Sequence, residues 1–487
     1  MKRIFKKFRT LIFSFLVAGN IINVSAVHAS EPYISYNYDR WGDAVPSQAG
    51  YIAERTVSGS DIGADSFDKP SDIFFDGDEF YVADTGNNRI VSIDSSLKET
   101  CGIYEKFKMP DGSFTTLDKP EGIFVSDDIM YIADTQNSRI LLVSHDSEVL
   151  AEITKPDSVI YDQQKTFLPK RVIADKAGNI YVVLGNITTG CAMFSPQGEF
   201  IGFFGANRVE PTVEVVGNYL RNIFMSDRKK ARRTRKVPAG ITGFDIKGDF
   251  IFTCTSSSSV LSDTVKKLNS AGKNIFAERA FSFGDYKPKY DTSHYKIPDT
   301  SICDIDISES GNINCLDFST GHIFQYDEDC NLLFIMGTIS EQEGGFESLS
   351  AIESADDSIY VLDSRKNNIT VFTETSFGKT VHRAVELYNT GYYAESLDLW
   401  YEVLRRDGNY SYAYTGTAFA MLRNGDYKNS MKYAKLAGNS ELYNKAFEEY
   451  RSVFLKENSG KIFIVLLMTV IAVKVFRKII KRGERRS

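Results

Sequence analysis

The chain has 487 residues, 43% of them hydrophobic and 13% aromatic, enough to bury a large core in one to three domains and too apolar for a disordered chain. Of its net charge of −7, residues 1–29 contribute +5 and residues 474–487 contribute +6, which leaves −18 on the body between them. An acidic body excludes general nucleic-acid binding, because phosphate contacts need a basic face.

Lys2, Arg3, Lys6, Lys7 and Arg9 precede an apolar run from Leu11 to Ala18 and then Val27-His28-Ala29. This is the layout of an export signal occupying residues 1–29, with an uncleaved N-terminal anchor as the alternative because apolar character continues to Val24. Residues 30–49 are polar and tyrosine-rich, a loosely ordered lead-in. Gly50 to Val57 alternates as a strand with no local partner.

A repeat then begins. FYVADTGNNRIV, Phe80 to Val91, returns as MYIADTQNSRIL at Met130 to Leu141 and as IYVLDSRKNNITVF at Ile359 to Phe372. Self-similarity at a period of roughly 40–50 residues is the signature of a propeller or solenoid. Six strand groups follow one another, most opened by a proline (Pro70, Pro120, Pro169, Pro238, Pro298) that presets the turn into the first strand.

The succession of Pro, a short strand, YVAD and NNRI resembles the NHL-repeat family of β-propellers over roughly residues 50–376. It is nearly intact in the first two repeats, recognisable in the sixth and eroded in the third to fifth. The resemblance implies a mainly β, six-bladed NHL-type propeller. Closure falls to Gly50–Val57, as the outer strand of the last blade beside Thr370 to Thr373, since radial closure protects sheet edges. The motif residues Asp84, Asn87 and Arg89, with Asp134, Asn137 and Arg139, and Asp363 with Asn367, look like a polar site. A motif present in several blades, however, builds blades: Asp accepts turn amides, Asn tolerates the left-handed turn and Arg pairs back to the Asp.

Residues 211–236 interrupt the rhythm. Val213, Val216, Tyr219, Leu220, Ile223 and Phe224 recur at helical spacing and lead into Arg228, Lys229, Lys230, Arg232, Arg233, Arg235 and Lys236. Such a basic amphipathic helix suits anionic lipid, an acidic envelope polymer or a protein partner, and a solvated loop over a propeller face is the alternative. A shorter insertion, Phe283 to Lys296 with His294, is expected on the same face. The six cysteines (Cys101, Cys191, Cys254, Cys303, Cys315, Cys330) permit disulfides outside the cell, with Cys303 and Cys315 the closest pair; buried free thiols are the other reading.

From residue 380 the period becomes helical. Gly391, Tyr393 and Ala394 are matched by Gly425 and Tyr427 at a spacing of 34, which resembles the tetratricopeptide repeat over Val381 to about Ala437, within a helical region 380–457. Two such repeats are few for an independent solenoid, so docking on the propeller or on a partner is expected. Ile462 to Val473 is free of charge, and its extension gives a membrane span over 460–480. The basic tail 481–487 places the C-terminus in the cytoplasm and the body outside, in the cell membrane.

The chain shows no GxSxG, no phosphate loop and no CxxC, and after the export signal only His145, His294, His322 and His382. It reads as a non-enzyme with no cofactor, although a divalent cation held by carboxylates in the channel stays open. The leading function is a membrane-anchored extracytoplasmic scaffold that binds a membrane or envelope complex, such as a transporter. A glycan or small ligand at the channel mouth is the second reading. A metal-dependent lactonase-type hydrolase, implied by resemblance to propeller enzymes, is the third.

Overall fold

The structure, a computed structural model, describes residues 32–207, 239–256, 263–276, 283–285 and 299–484. The expected export signal, the basic cluster Arg228 to Lys236, His294 and residues 485–487 of the tail lie outside these.

Six antiparallel sheets follow one another as propeller blades. Blade 1 is Asp72–Phe75, Glu79–Asp84, Arg89–Asp94 and Thr100–Tyr104; blade 2 is Pro120–Ser126, Ile129–Asp134, Arg139–Ser144 and Val149–Ile153. Blade 3 is Pro169–Ala174, Ile180–Leu184, Cys191–Phe194 and Phe200–Phe204. Blade 4 shows three strands among the described residues, Gly243–Lys247, Phe250–Cys254 and Val265–Leu268. Blade 5 is Ile302–Ile307, Ile313–Asp317, Ile323–Tyr326 and Leu332–Met336, and blade 6 begins Leu349–Ala355, Ser358–Asp363 and Asn368–Glu374. Second strands such as Ile180–Leu184 are buried along their whole length, as strands covered on both faces by neighbouring blades must be.

The ring closes on the strand that the sequence leaves without a local partner. Tyr51–Ser58 lies antiparallel to Asn368–Glu374, with Val57 opposite Ile369 and Thr56 opposite Thr370. The fourth strand of blade 1 ends at Tyr104, and Lys106–Lys108 pairs with Phe114–Thr116 in a separate hairpin. Residues 32–49 are not a loose lead-in. Tyr36–Tyr38 pairs with Ala44–Pro46, and Tyr38 is buried among the side chains of blades 4 and 5. Apolar tyrosine faces give this polar stretch something to bury. All six cysteines are free thiols, three of them buried in strands.

Five helices follow: α1 Ser376–Asn389, α2 Tyr393–Arg406, α3 Ser411–Arg423, α4 Tyr427–Leu436 and α5 Ser440–Glu484. The first two hairpins repeat each other in detail. Ser396 Oγ donates to Ala384 O at 2.8 Å, and 34 residues later Ser430 Oγ donates to Ala418 O at 2.8 Å. Gly391 and Gly425 sit at φ +90° and +80°, the left-handed turn that ends α1 and α3. Tyr393 packs on Tyr388, and Tyr427 packs against the cluster around Leu422 and Leu442. Ala394, expected to pack, is exposed; it lies in the first turn of α2 at the place Lys428 holds in α4, and the small buried side chains are Ser396 and Ser430.

The helices share one core with the propeller. Phe377, Val381 and Ala384 of α1, Trp400 and Val403 of α2, and Tyr410 pack with Leu333, Phe334 and Met336 of blade 5 and Phe372 of blade 6. Thr375 caps α1 and also donates to Ala49 O at 2.8 Å, tying the helix start to the closing strand. A Cβ on Gly378 would lie 2.4 Å from Gly50 O, so α1 meets the closing strand backbone to backbone. Gly378→Val is therefore expected to separate the helices from blade 6 at a cost of about 1–3 kcal/mol, the range for overpacking. A thermal unfolding transition equal to that of the unaltered protein would show that the contact has no such role.

Candidate functional site

The repeat motif forms the same network in two blades. In blade 1, Asp84 Oδ2 accepts from Arg89 Nε at 2.7 Å and Asn87 Nδ2 at 2.8 Å, while Oδ1 accepts from Asp68 N at 2.8 Å. In blade 2, Asp134 accepts from Arg139 Nε, Asn137 Nδ2 and Asp118 N, each at 2.8 Å. Asp363 instead takes backbone N–H groups, from Glu347 at 2.6 Å and from Arg365 and Lys366 at 2.9 Å. Asn367 Oδ1 reaches across to Lys69 N at 2.8 Å, and Asn88 makes the same contact to Lys119 N at 2.8 Å. Asn88 and Asn367 are left-handed at φ +56° and +55°, a conformation asparagine tolerates, and each latches its blade to the next.

The central channel is lined by buried charged side chains. Cross-strand pairing sets two levels. Asp72 opposite Ala83, Arg171 opposite Val183 and Asp304 opposite Leu316 form one. Two residues further along, Phe74, Phe124 and Ile173 line the side of blades 1 to 3, and Asp245, Asp306 and Glu353 line the side of blades 4 to 6.

Each acid is engaged with the next blade. Asp72 accepts from Ile123 N at 2.9 Å, Asp245 from Ile307 N at 2.7 Å and Asp304 from Ile352 N at 3.0 Å. The N–H of Phe75 in blade 1 lies close enough to Glu353 in blade 6 to favour its carboxylate. Arg171 spans the ring from blade 3, donating to Glu121 O at 2.6 Å and to Ser350 O at 2.9 Å. Its Nε stands 3.5 Å from Asp72, an ion pair rather than a hydrogen bond.

Burial dominates the electrostatics. It pushes Asp72 up to about 6 and Asp304 to about 7 against the opposing charge of Arg171. Burial, then the charge of Asp306, pushes Asp245 up to about 8, and burial carries Glu353 well above the usual range. The cavity between these side chains holds about 30 Å³, the size of one water. Among the described residues, no group of three or more His, Cys, Asp or Glu has a geometry that could hold a metal ion.

A much larger groove, about 900 Å³, lies between α1 and the loops of blades 5 and 6. Its lining is polar, including Glu309, Glu328, Asp356, Lys379, His382 and Glu386. At its floor, His382 sets Nδ1 against Glu374 and Nε2 2.7 Å from Gln325 Oε1. Gln325 Nε2 donates to Asn314 Oδ1 at 3.0 Å, and Asn314 Nδ2 to Asp306 Oδ2 at 2.7 Å. A continuous buried chain of polar contacts thus joins the groove to the acidic side of the channel.

A second cluster anchors the N-terminal hairpin. Tyr36 and Tyr38 donate to Asp285 Oδ1 at 2.5 and 2.6 Å, and His322 Nδ1 is 3.3 Å from Asp285 Oδ2. Burial alone would raise the Asp285 carboxyl, but the hydrogen bonds from His322, Tyr36 and Tyr38 hold it below its ordinary value. His145, in the turn after the third strand of blade 2, packs beside Tyr81 and joins neither cluster.

The channel acids were not singled out from the sequence, although a signal exists. Asp-Ile recurs at 72–73, 245–246, 304–305 and 306–307, in first strands that are otherwise largely apolar.

No family model matches the chain, and no curated protein matches it. Among solved structures it is similar to virginiamycin B lyase from Staphylococcus aureus, at 11% identity and a TM-score of 0.38 over 63% of this chain and 95% of that one. It is also similar to the β-propeller domain of Cps50 (Swd1) from Myceliophteria thermophila, at 10% identity and 0.39 over 66% and 100%. A luciferin-regenerating enzyme aligns at 12% identity and 0.36 over 64% and 92%. Likenesses this distant carry no argument about activity.

Proposed function

We propose that the protein is a membrane-anchored extracytoplasmic scaffold, whose propeller and helical region bind a membrane or envelope complex such as a transporter. The observation that carries this reading is the shared core of blades 5 and 6 with α1 to α3, continued through α5 into a helix apolar and long enough to cross a membrane. A body fused to its anchor in this way is presented rigidly at the bilayer. The resemblance to NHL and tetratricopeptide repeats supports the reading by analogy, since both families act mostly by binding other macromolecules. The basic tail supports an orientation with the C-terminus in the cytoplasm.

The test is crosslinking in intact cells followed by affinity capture of the full-length protein. Reproducible recovery of one membrane complex is the expected result. Recovery of no protein partner would end the scaffold reading. The polar groove beside α1 favours a second reading, recognition of a glycan or small polar ligand. It predicts that an oligosaccharide set will raise the unfolding temperature of the soluble body and that His382→Ala will remove the shift.

A further inference from the structure

The last helix is unlike the others. Leu442 and Ala446 on its first two turns are buried against α3 and α4, and beyond them α5 continues as one helix whose large apolar side chains are exposed. The segment that emerges is not polar. Tyr443, Phe447, Tyr450 and Phe454 are 37%, 44%, 37% and 46% exposed. Their spacing of four, three and four residues places them on one face, the pattern of an amphipathic helix that lays its anchors into a partner's groove. On the same face, Glu457 and Lys461 follow at the next two turns.

Three occupants compete for this stripe. The bilayer is too far away if the helix enters it upright. At 1.5 Å per residue, Phe454 stands about 12 Å and Tyr443 about 28 Å before Ile462, where the charge-free run begins. A headgroup layer is only about 5–8 Å deep. A second copy fits poorly for a different reason. Two copies of a single-pass protein run parallel, so a seam along this face would set Glu457 against Glu457 and Lys461 against Lys461. A different chain meets neither objection.

We infer that the face bearing Tyr443, Phe447, Tyr450 and Phe454 docks into an apolar groove of an integral membrane protein. That groove lies in the layer about 10–30 Å beyond the hydrocarbon edge, with a basic side chain facing Glu457 and an acidic one facing Lys461. This rests on the scaffold reading and names the surface through which the scaffold holds its partner.

The test places a photoreactive amino acid singly at Phe447, Tyr450 and Phe454, and at Lys445 and Ser452 on the opposite face, in the full-length membrane-bound protein. Adducts to one integral membrane protein are expected at the first three positions, with at least tenfold lower yield at the other two. Adducts to a second copy, to lipid alone or equally on both faces would overturn the assignment. The triple variant F447S/Y450S/F454S separates the two proposals, because these side chains are exposed and the body should unfold as before. Capture of the complex is expected to fall at least tenfold. Undiminished capture would remove the stripe and leave the scaffold reading standing, whereas absence of capture by the unaltered protein would remove both.

Discussion

Arg171→Ala should destabilise the propeller by about 3–5 kcal/mol at pH 7, the cost of leaving buried charge uncompensated. Arg171 is the cation that faces Asp72 and Asp304, and it also holds the carbonyls of Glu121 and Ser350 in two other blades. The loss should shrink at pH 5, where those carboxyls can be neutral. The unaltered protein should show a related dependence. A carboxyl whose folded-state value lies above its unfolded value near 4 binds an extra proton when folded, so its stabilising contribution is present in acid and lost as the pH rises. With Asp72 at about 6, Asp304 at about 7 and Asp245 at about 8, that loss spans roughly pH 4 to 8. Urea unfolding at pH 5, 7 and 8.5 measures both effects. Stability that stays level or rises with pH would contradict this account of the channel.

Val57→Asp should be comparably severe and Ile52→Asp nearly silent, although the two residues share one strand. Val57 is 2% exposed and packs with Ile369 and Val371, so a carboxylate there has no partner and the ring loses its closing strand. A cost of about 3–5 kcal/mol follows from burying an unpaired charge. Ile52 is 38% exposed, where substitutions usually stay within about 0.5 kcal/mol. The contrast tests the register itself, because a slip of one residue would exchange the two faces. Equal losses at both positions in thermal unfolding would mean that the strand is paired otherwise.

Closure by residues 50–57, six blades and a helical region with a 34-residue spacing could all be read from the sequence, because each is written in a local period: two for strands, 3.6 for helices, and the longer repeat laid over them. Period alone misplaced Ala394, which shares a repeat with the buried Ser396 yet faces solvent in the first turn of α2. It also passed over Tyr36 and Tyr38, whose burial depends on Asp285 and blade 5, far away in the chain.

The sequence by itself determined the elements and their order, since alternation, prolines at strand starts and an apolar run act over a few residues. Only the tertiary structure decided what the acids of the channel do and where the helices sit. Asp72, Asp245 and Asp304 meet backbone N–H groups 51, 62 and 48 residues away, and Thr375 meets Ala49 across 326. Such contacts leave no periodic trace. A carboxylate that sutures two blades and one that awaits a ligand are the same letter, and the difference is made by which amide the closed ring brings within 3 Å.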